Sequence, residues 1–284
     1  MNYQKRIDKV ITYIGHHLNE NFTLDQLSEI ACFSRFHFHR LFTAYTGLSF
    51  KQYVRWLRLK RAAHQLIVEK DKKIIEIAMD AGFESHEAFS RVFKKTCGMS
   101  PNQFRQDNNW AYWDQSPYQL PQIEDIKMIN VEIREINEKR LAIVEHRGSV
   151  DKLGESINKL INWSQAQTIN LKPKPGEAFG FAYDDPKTTK PEDFRYDIGI
   201  TVPENLAVKS DDVIERRLPK GRYAIAMHKG SRDNIGETVY GLYRDWLPQS
   251  GEALGDLPCL FCYYNFDHEV AETELLTECW LLLD

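Results

Sequence analysis

Apolar positions recur at helical spacing along the first hundred residues, then alternate or cluster in short runs beyond residue 125. Phe38, Leu41, Phe42 and Tyr45 fall at i, i+3, i+4 and i+7, the core-facing stripe of one helix. Leu24 to Ala31 and Ile74 to Ala81 read as short apolar helices that each end in a tight turn, filled by Gly82 in the second case. Ser34 and Ser85 stand at the N-cap positions of the helices that follow. Ser49 to about Glu69 reads as one long helix carrying Tyr53, Trp56, Leu57 and Leu66. Strands are expected at Val131 to Ile136, Leu141 to Arg147, Phe179 to Tyr183, Asp197 to Val202, Tyr223 to Lys229, Leu260 to Phe266 and Leu275 to Leu283. A helix is expected after Gly148 and another after Gly230. From Asn108 to Asp125 the periodicity disappears, so the chain divides into residues 1–107, a connector at 108–125 and a second domain at 126–284. Trp110, Tyr112 and Trp113 are too aromatic for a free connector and are expected to pack on a domain.

Both halves are duplicated. Arg40, Leu41-Phe42, Gly47-Leu48-Ser49 and Tyr53 recur 51 residues later as Arg91, Val92-Phe93, Gly98-Met99-Ser100 and Phe104. Arg140, Ala142-Ile143, His146 and Gly148-Ser149 recur 82 residues later as Arg222, Ala224-Ile225, His228 and Gly230-Ser231. The fold expected is an all-α tandem helix-turn-helix domain followed by an α+β domain of two duplicated β-α-β-β units, with a cleft between the halves of the latter.

Charge sharpens this division. The net charge of −4 conceals 17 Lys and Arg against 11 Asp and Glu through Asp107, and 20 against 30 thereafter. A basic unit joined to an acidic one suits two partners of different electrostatic character, the first a polyanion. Five scattered cysteines suit a reducing cytoplasm rather than a disulfide framework. No stretch of about 18 apolar residues spans a membrane, and the N-terminus lacks the unbroken apolar core of a signal peptide. Cys259 and Cys262 have CxxC spacing without a second pair, so no metal is expected, and no cofactor motif is present.

The second helix of each helical unit presents a polar outer face. Phe36, His39, Arg40 and Thr43 lie there in the first copy, beside Arg35; His86, Glu87, Ser90, Arg91 and Lys94 lie there in the second. A solvated surface is the plain reading, but it does not explain an arginine at the same place in both copies. Such a face fits the major groove, where Arg donates bidentately to guanine. The joining helix spans on the order of 30 Å, close to the roughly 34 Å between successive major-groove faces.

In the last strand Leu276, Glu278, Trp280 and Leu282 alternate onto one face. A carboxylate among large apolar groups needs water, an arginine partner or a ligand; the residues alone leave all three open. Phe181, Tyr183, Tyr196, Tyr263 and Tyr264, with Phe179 and Phe261, supply the rings of a trap for a lipophilic cation, or simply core.

Two resemblances then enter. Ile77-Ala78-Met79-Asp80-Ala81-Gly82-Phe83-Glu84-Ser85, Phe89-Ser90-Arg91-Val92-Phe93-Lys94-Lys95, Gly98-Met99-Ser100-Pro101 and Phe104-Arg105 resemble the AraC/XylS transcription regulators over about residues 4–107, with Cys32 at the place of Gly82 in the first copy. That resemblance implies DNA contacts from Phe36, His39, Arg40, His86, Glu87 and Arg91. Tyr183-Asp184-Asp185-Pro186, Tyr196 to Pro203, Gly221-Arg222-Tyr223-Ala224, Gly230-Ser231 and Leu275-Leu276-Thr277-Glu278 look like the GyrI-like effector-binding domain over about residues 127–284. That family binds hydrophobic, often cationic compounds, and its central glutamate matches Glu278. The order of the two domains resembles Rob-type regulators and implies an activator whose partners are double-stranded DNA, RNA polymerase and a small effector. Two alternatives for the second module are a hydrolase in which the glutamate and a tyrosine activate water, and a protein-interaction module.

Overall fold

The computed structural model describes residues 3–107, 110, 113, 129–167, 174–186, 189–208 and 210–284. They fall into two compact units, one up to residue 124 and one from residue 125.

The first unit is helical: α1 (Tyr3–His16), α2 (Leu24–Ala31), α3 (Arg35–Thr46), α4 (Phe50–Val68), α5 (Ile74–Asp80), α6 (His86–Cys97) and α7 (Pro101–Asp107). Cap chemistry sets several of the starts. Thr23 accepts from the backbone N–H of Gln26, Ser85 from that of Ala88, and Ser49 forms a reciprocal capping box with Gln52. Ser34 occupies the N-cap of α3 in extended backbone without a side-chain cap bond. Cys32 and Gly82 both take the left-handed conformation, at φ 51° and 79°, so the two helix-turn-helix turns share one geometry. A side chain at Gly82 would place Cβ 2.8 Å from Arg58 Nη1. That guanidinium donates to the carbonyls of Leu18 and Glu20, tying α4 to the loop before α2.

Around the second repeat, Leu59, Ala62, Ala63 and Leu66 of α4 pack with Ile77, Ala78, Phe89, Phe93 and Phe104. Trp113 belongs to the same core: it is 0% exposed, with its ring 5.9 Å from that of Phe93. Trp110 packs against this cluster as well. Tyr112 lies outside the described residues.

The second unit is one eight-stranded antiparallel sheet: β1 (Val131–Ile136), β2 (Lys139–Arg147), β3 (Ala178–Ala182), β4 (Arg195–Thr201), β5 (Ile214–Leu218), β6 (Gly221–Lys229), β7 (Cys259–Tyr263) and β8 (Leu276–Leu283). Its order, β1-β6-β8-β7-β3-β4-β2-β5, reads the same in reverse when each strand is replaced by its repeat mate. The sheet therefore has a pseudo-two-fold axis between β7 and β3. Each repeat also carries one strand more at its head than the expected β-α-β-β, and that strand pairs into the other half: β1 with β6, β5 with β2. Helix α8 (Leu153–Gln165) packs on β2 and β4, and α9 (Ile235–Gly241) on β6, both on one face. His146 meets Ser156 of α8 at 3.0 Å, and His228 meets Thr238 of α9 at 2.9 Å, the same contact in each repeat.

Candidate DNA-reading face and ligand site

Helix α6 buries Phe89 and Phe93 and turns its other side outward. Glu87, Arg91 and Lys94 are exposed and His86 and Ser90 half-buried, five positions on one face. Backbone and Ser85 hydrogen bonds hold the Glu87 carboxyl below its ordinary range. Helix α3 differs. It buries His37, Phe38, Arg40, Leu41, Phe42, Ala44, Tyr45 and Thr46, which surround most of its circumference. Arg40 is 5% exposed, so the expectation of two equivalent outward arginines holds for Arg91 and not for Arg40. Phe36, His39 and Thr43 are half-buried, and Arg35 is exposed and paired with Asp25.

Strand pairing fixes which side chains share a face in the sheet unit. Cys262 and Met227 flank Glu278 across the ladder, and Leu260 and Ile225 flank Trp280. Glu278, Trp280, Cys262, Leu260, Phe179, Phe181, Ile225 and Tyr223 therefore lie on the face opposite the helices, most of them in one apolar cluster with Leu141 and Ile143. Phe179 and Tyr223 close on Trp280 at ring distances of 5.6 and 5.5 Å. Glu278 is 5% exposed. It accepts from Trp280 Nε1 at 2.8 Å and from Arg134 of β1, so an arginine does stand beside it. Burial and the charge of Glu278 push the Tyr264 hydroxyl up, and the Arg134 guanidinium opposes them.

A second acid on this face escaped the sequence reading. Asp197 is 0% exposed and receives Arg147 Nη1 and Arg216 Nη1, both at 2.6 Å, and the Tyr183 hydroxyl at 2.9 Å. A repeat offset of 81 residues carries Asp197 onto Glu278 and Tyr183 onto Tyr264, a signal present in the sequence once the register of the duplication is known. Burial and the charge of Asp197 push the Tyr183 hydroxyl up to about 12, and burial beside Glu278 pushes the Cys262 thiol up to about 12. Both groups thus hold their protons more tightly folded than unfolded. Their contribution is complete on the acid side of the ordinary thiol and phenol ranges and is lost as pH climbs toward about 12. Urea midpoints should therefore fall across that alkaline window, and native Cys262 should resist iodoacetamide at neutral pH; rapid native alkylation would contradict the burial.

Two expected ligand residues require correction. Tyr196 is adjacent to Asp197 and Tyr263 to Cys262, so alternation sends both to the helix-covered face, away from Glu278. Their hydroxyls bond each other at 2.5 Å above Gly180. A Cβ at Gly180 would lie 1.8 Å from the Tyr196 oxygen, so only glycine lets that ring lie flat across β3. Cys259 and Cys262 likewise project to opposite faces, a geometry that cannot chelate. Tyr183, Tyr264, Phe181 and Trp280 share the face of Glu278.

Residues 129–284 match the GyrI-like small molecule binding domain, and residues 27–107 a helix-turn-helix domain. A probable transcriptional regulator, YgiV of Escherichia coli K12, is 40% identical over 144 residues, 50% of this chain and 89% of its own. The regulatory protein SoxS of the same strain is 31% identical over 105 residues, 37% of this chain and 97% of its own. A cryo-EM structure of an EcmrR–DNA complex covers 92% of this chain and 98% of its own at 14% identity, with a TM-score of 0.48.

Proposed function

The chain belongs to the GyrI-like small molecule binding family and carries an AraC-type helix-turn-helix domain ahead of that module, and from that premise we propose that this DNA-binding transcription regulator responds to a hydrophobic cation. The observation that carries the reading is the placement of Glu278, a buried carboxylate set among Trp280, Phe179 and Tyr223 on the sheet face opposite the helices. Burying an anion costs several kcal/mol unless a cation meets it, and aromatic faces beside it reward a delocalised one. Trp280, Phe181, Tyr183 and Tyr264 complete the ligand set.

On the DNA side, α6 offers Arg91 and Lys94 with Ser90 and His86 to the major groove, and α3 offers Arg35, Phe36, His39 and Thr43. The 19 residues of α4 separate them by about 28 Å, near one groove repeat. A single chain then reads two adjacent groove segments, and activation through contact with RNA polymerase is the mode of action that completes this reading.

Selection of duplexes from a random pool tests this directly. It should enrich two elements about 10 bp apart, and Arg91→Ala should cost about 1–3 kcal/mol on the selected site and relax one element. Tetraphenylphosphonium should shift affinity for that duplex, and neutral triphenylphosphine oxide should not. Enrichment of one element alone, or equal loss on selected and random DNA, would defeat the two-segment reading.

A further inference from the structure

The two acids on the face opposite the helices are copies of one device. Arg134, Tyr264 and Glu278 map onto Arg216, Tyr183 and Asp197 by offsets of 82, 81 and 81 residues. In each copy an arginine from a strand contributed to the opposite half reaches a buried carboxylate, with a tyrosine of the same face beside the pair. The copies differ in how firmly that arginine is held. Asp197 takes two arginines, Arg147 and Arg216, and Glu145 takes the free arm of Arg216 at 3.0 Å. At the other pole the place of Glu145 is taken by Met227, which lies directly across from Glu278 and is 47% exposed. Among the described residues, Arg134 pairs with Glu278 and, at 3.5 Å, with the exposed carboxylate of Glu132. Both arginines stand on edge strands, Arg134 on β1 and Arg216 on β5, with side chains 31% and 26% exposed, so the difference between the copies lies in their partners.

We propose that Arg134 is a placeholder cation: it neutralises Glu278 in the empty module and is displaced when the cationic group of an effector arrives, whereas Arg216 is a fixed strut. This rests on the reading of Glu278 as the ligand acid. Without a second arginine on its acid or a Glu145 on its free arm, Arg134 is the more readily released of the two, and its half-exposed guanidinium can turn to water and to Glu132. The buried carboxylate cannot remain unpaired, so departure of Arg134 and entry of the ligand are coupled. The module consequently selects monocations: the Glu278 pole exchanges its arginine, and the Asp197 pole, three strand spacings away or about 14 Å, is already saturated by its own arginines and rejects a second positive group.

The test is calorimetry on the full chain with tetraphenylphosphonium and triphenylphosphine oxide. Arg134→Met keeps the stem over Trp280 and removes the competing charge. It should bind the phosphonium about tenfold more tightly than the wild type, leave the oxide unchanged, and lose the gain when Glu278→Gln is added. Arg216→Met should bring no gain. A measurement without substitution stands beside it: the Arg134 guanidinium signals of the wild type, read by nitrogen-detected NMR, should move to solvent-exposed values on saturation. If the phosphonium binds the wild type and Glu278→Gln weakens it, yet Arg134→Met brings no gain and the Arg134 signals stay fixed, the placeholder is overturned and the cation site stands. If the phosphonium binds neither wild type nor Arg134→Met, the cation site itself fails and the placeholder with it.

Discussion

Asp197→Ala should lower the stability of the sheet unit by about 3 kcal/mol, toward the low end of the cost of breaking a buried ion pair. The acid is 0% exposed and collects three donors, Arg147, Arg216 and Tyr183. These donors pin β2, β5 and the end of β3 to β4, so the loss is distributed over the half-sheet rather than confined to one side chain. The cost does not reach the upper end because Arg147 and Arg216 keep 44% and 26% of their side-chain exposure and can turn to water and to Glu145. Asp197→Asn keeps the volume and one acceptor, and should fall between alanine and wild type. Denaturant-dependent hydrogen exchange at the amides of β2 to β5 measures both. Unchanged protection for Asp197→Ala would mean that packing by Phe179, Phe181 and Leu260, not the acid, organises this face.

Trp113→Ala should cost about 3–5 kcal/mol, the usual range for emptying a large aromatic site in a core. The residue lies past the last helix-turn-helix element, where a connector is expected, yet its ring is wholly buried against Phe93, Trp56 and Trp110. The loss should appear in melting of the helical unit and in weaker DNA binding, because Phe93 also anchors α6, the helix that carries Arg91. Trp113→Phe should restore most of the stability. A helical unit with an unchanged melt would place Trp113 outside the core.

Much of this was legible in the sequence, for identifiable reasons. The helices of the first unit follow from apolar spacing and from caps at Ser49 and Ser85, because local hydrogen bonds decide where a helix starts. Seven of the strands follow from β-branched and aromatic runs. The strand Ile214–Leu218 was missed because Glu215, Arg216 and Arg217 dominate it; charge is what a protected edge strand carries, and it reads as loop. Facing was the weaker inference. Alternation along β8 places Glu278 with Trp280, but the phase of β4 and β7 relative to β8 depends on register, which puts Tyr196 and Tyr263 on the helix-covered side and Asp197, not Tyr196, on the side of Glu278. Arg40 shares its helical phase with Phe36 and Thr43 yet is 5% exposed, and burial of that kind cannot be read from phase alone.

The duplication gives the two acids different tasks on one frame. Asp197 is saturated by the protein's own cations and holds its half together, while Glu278 keeps a single exchangeable arginine under a tryptophan. The measurement that bears most directly on this division is the affinity of the full chain for tetraphenylphosphonium and for triphenylphosphine oxide, before and after Glu278→Gln. A carboxylate that receives the ligand's charge predicts about a hundredfold loss for the cation, or about 2.7 kcal/mol, with the neutral oxide unaffected. Equal affinity of wild type and Glu278→Gln for the cation, or an equal loss for both compounds, would contradict it.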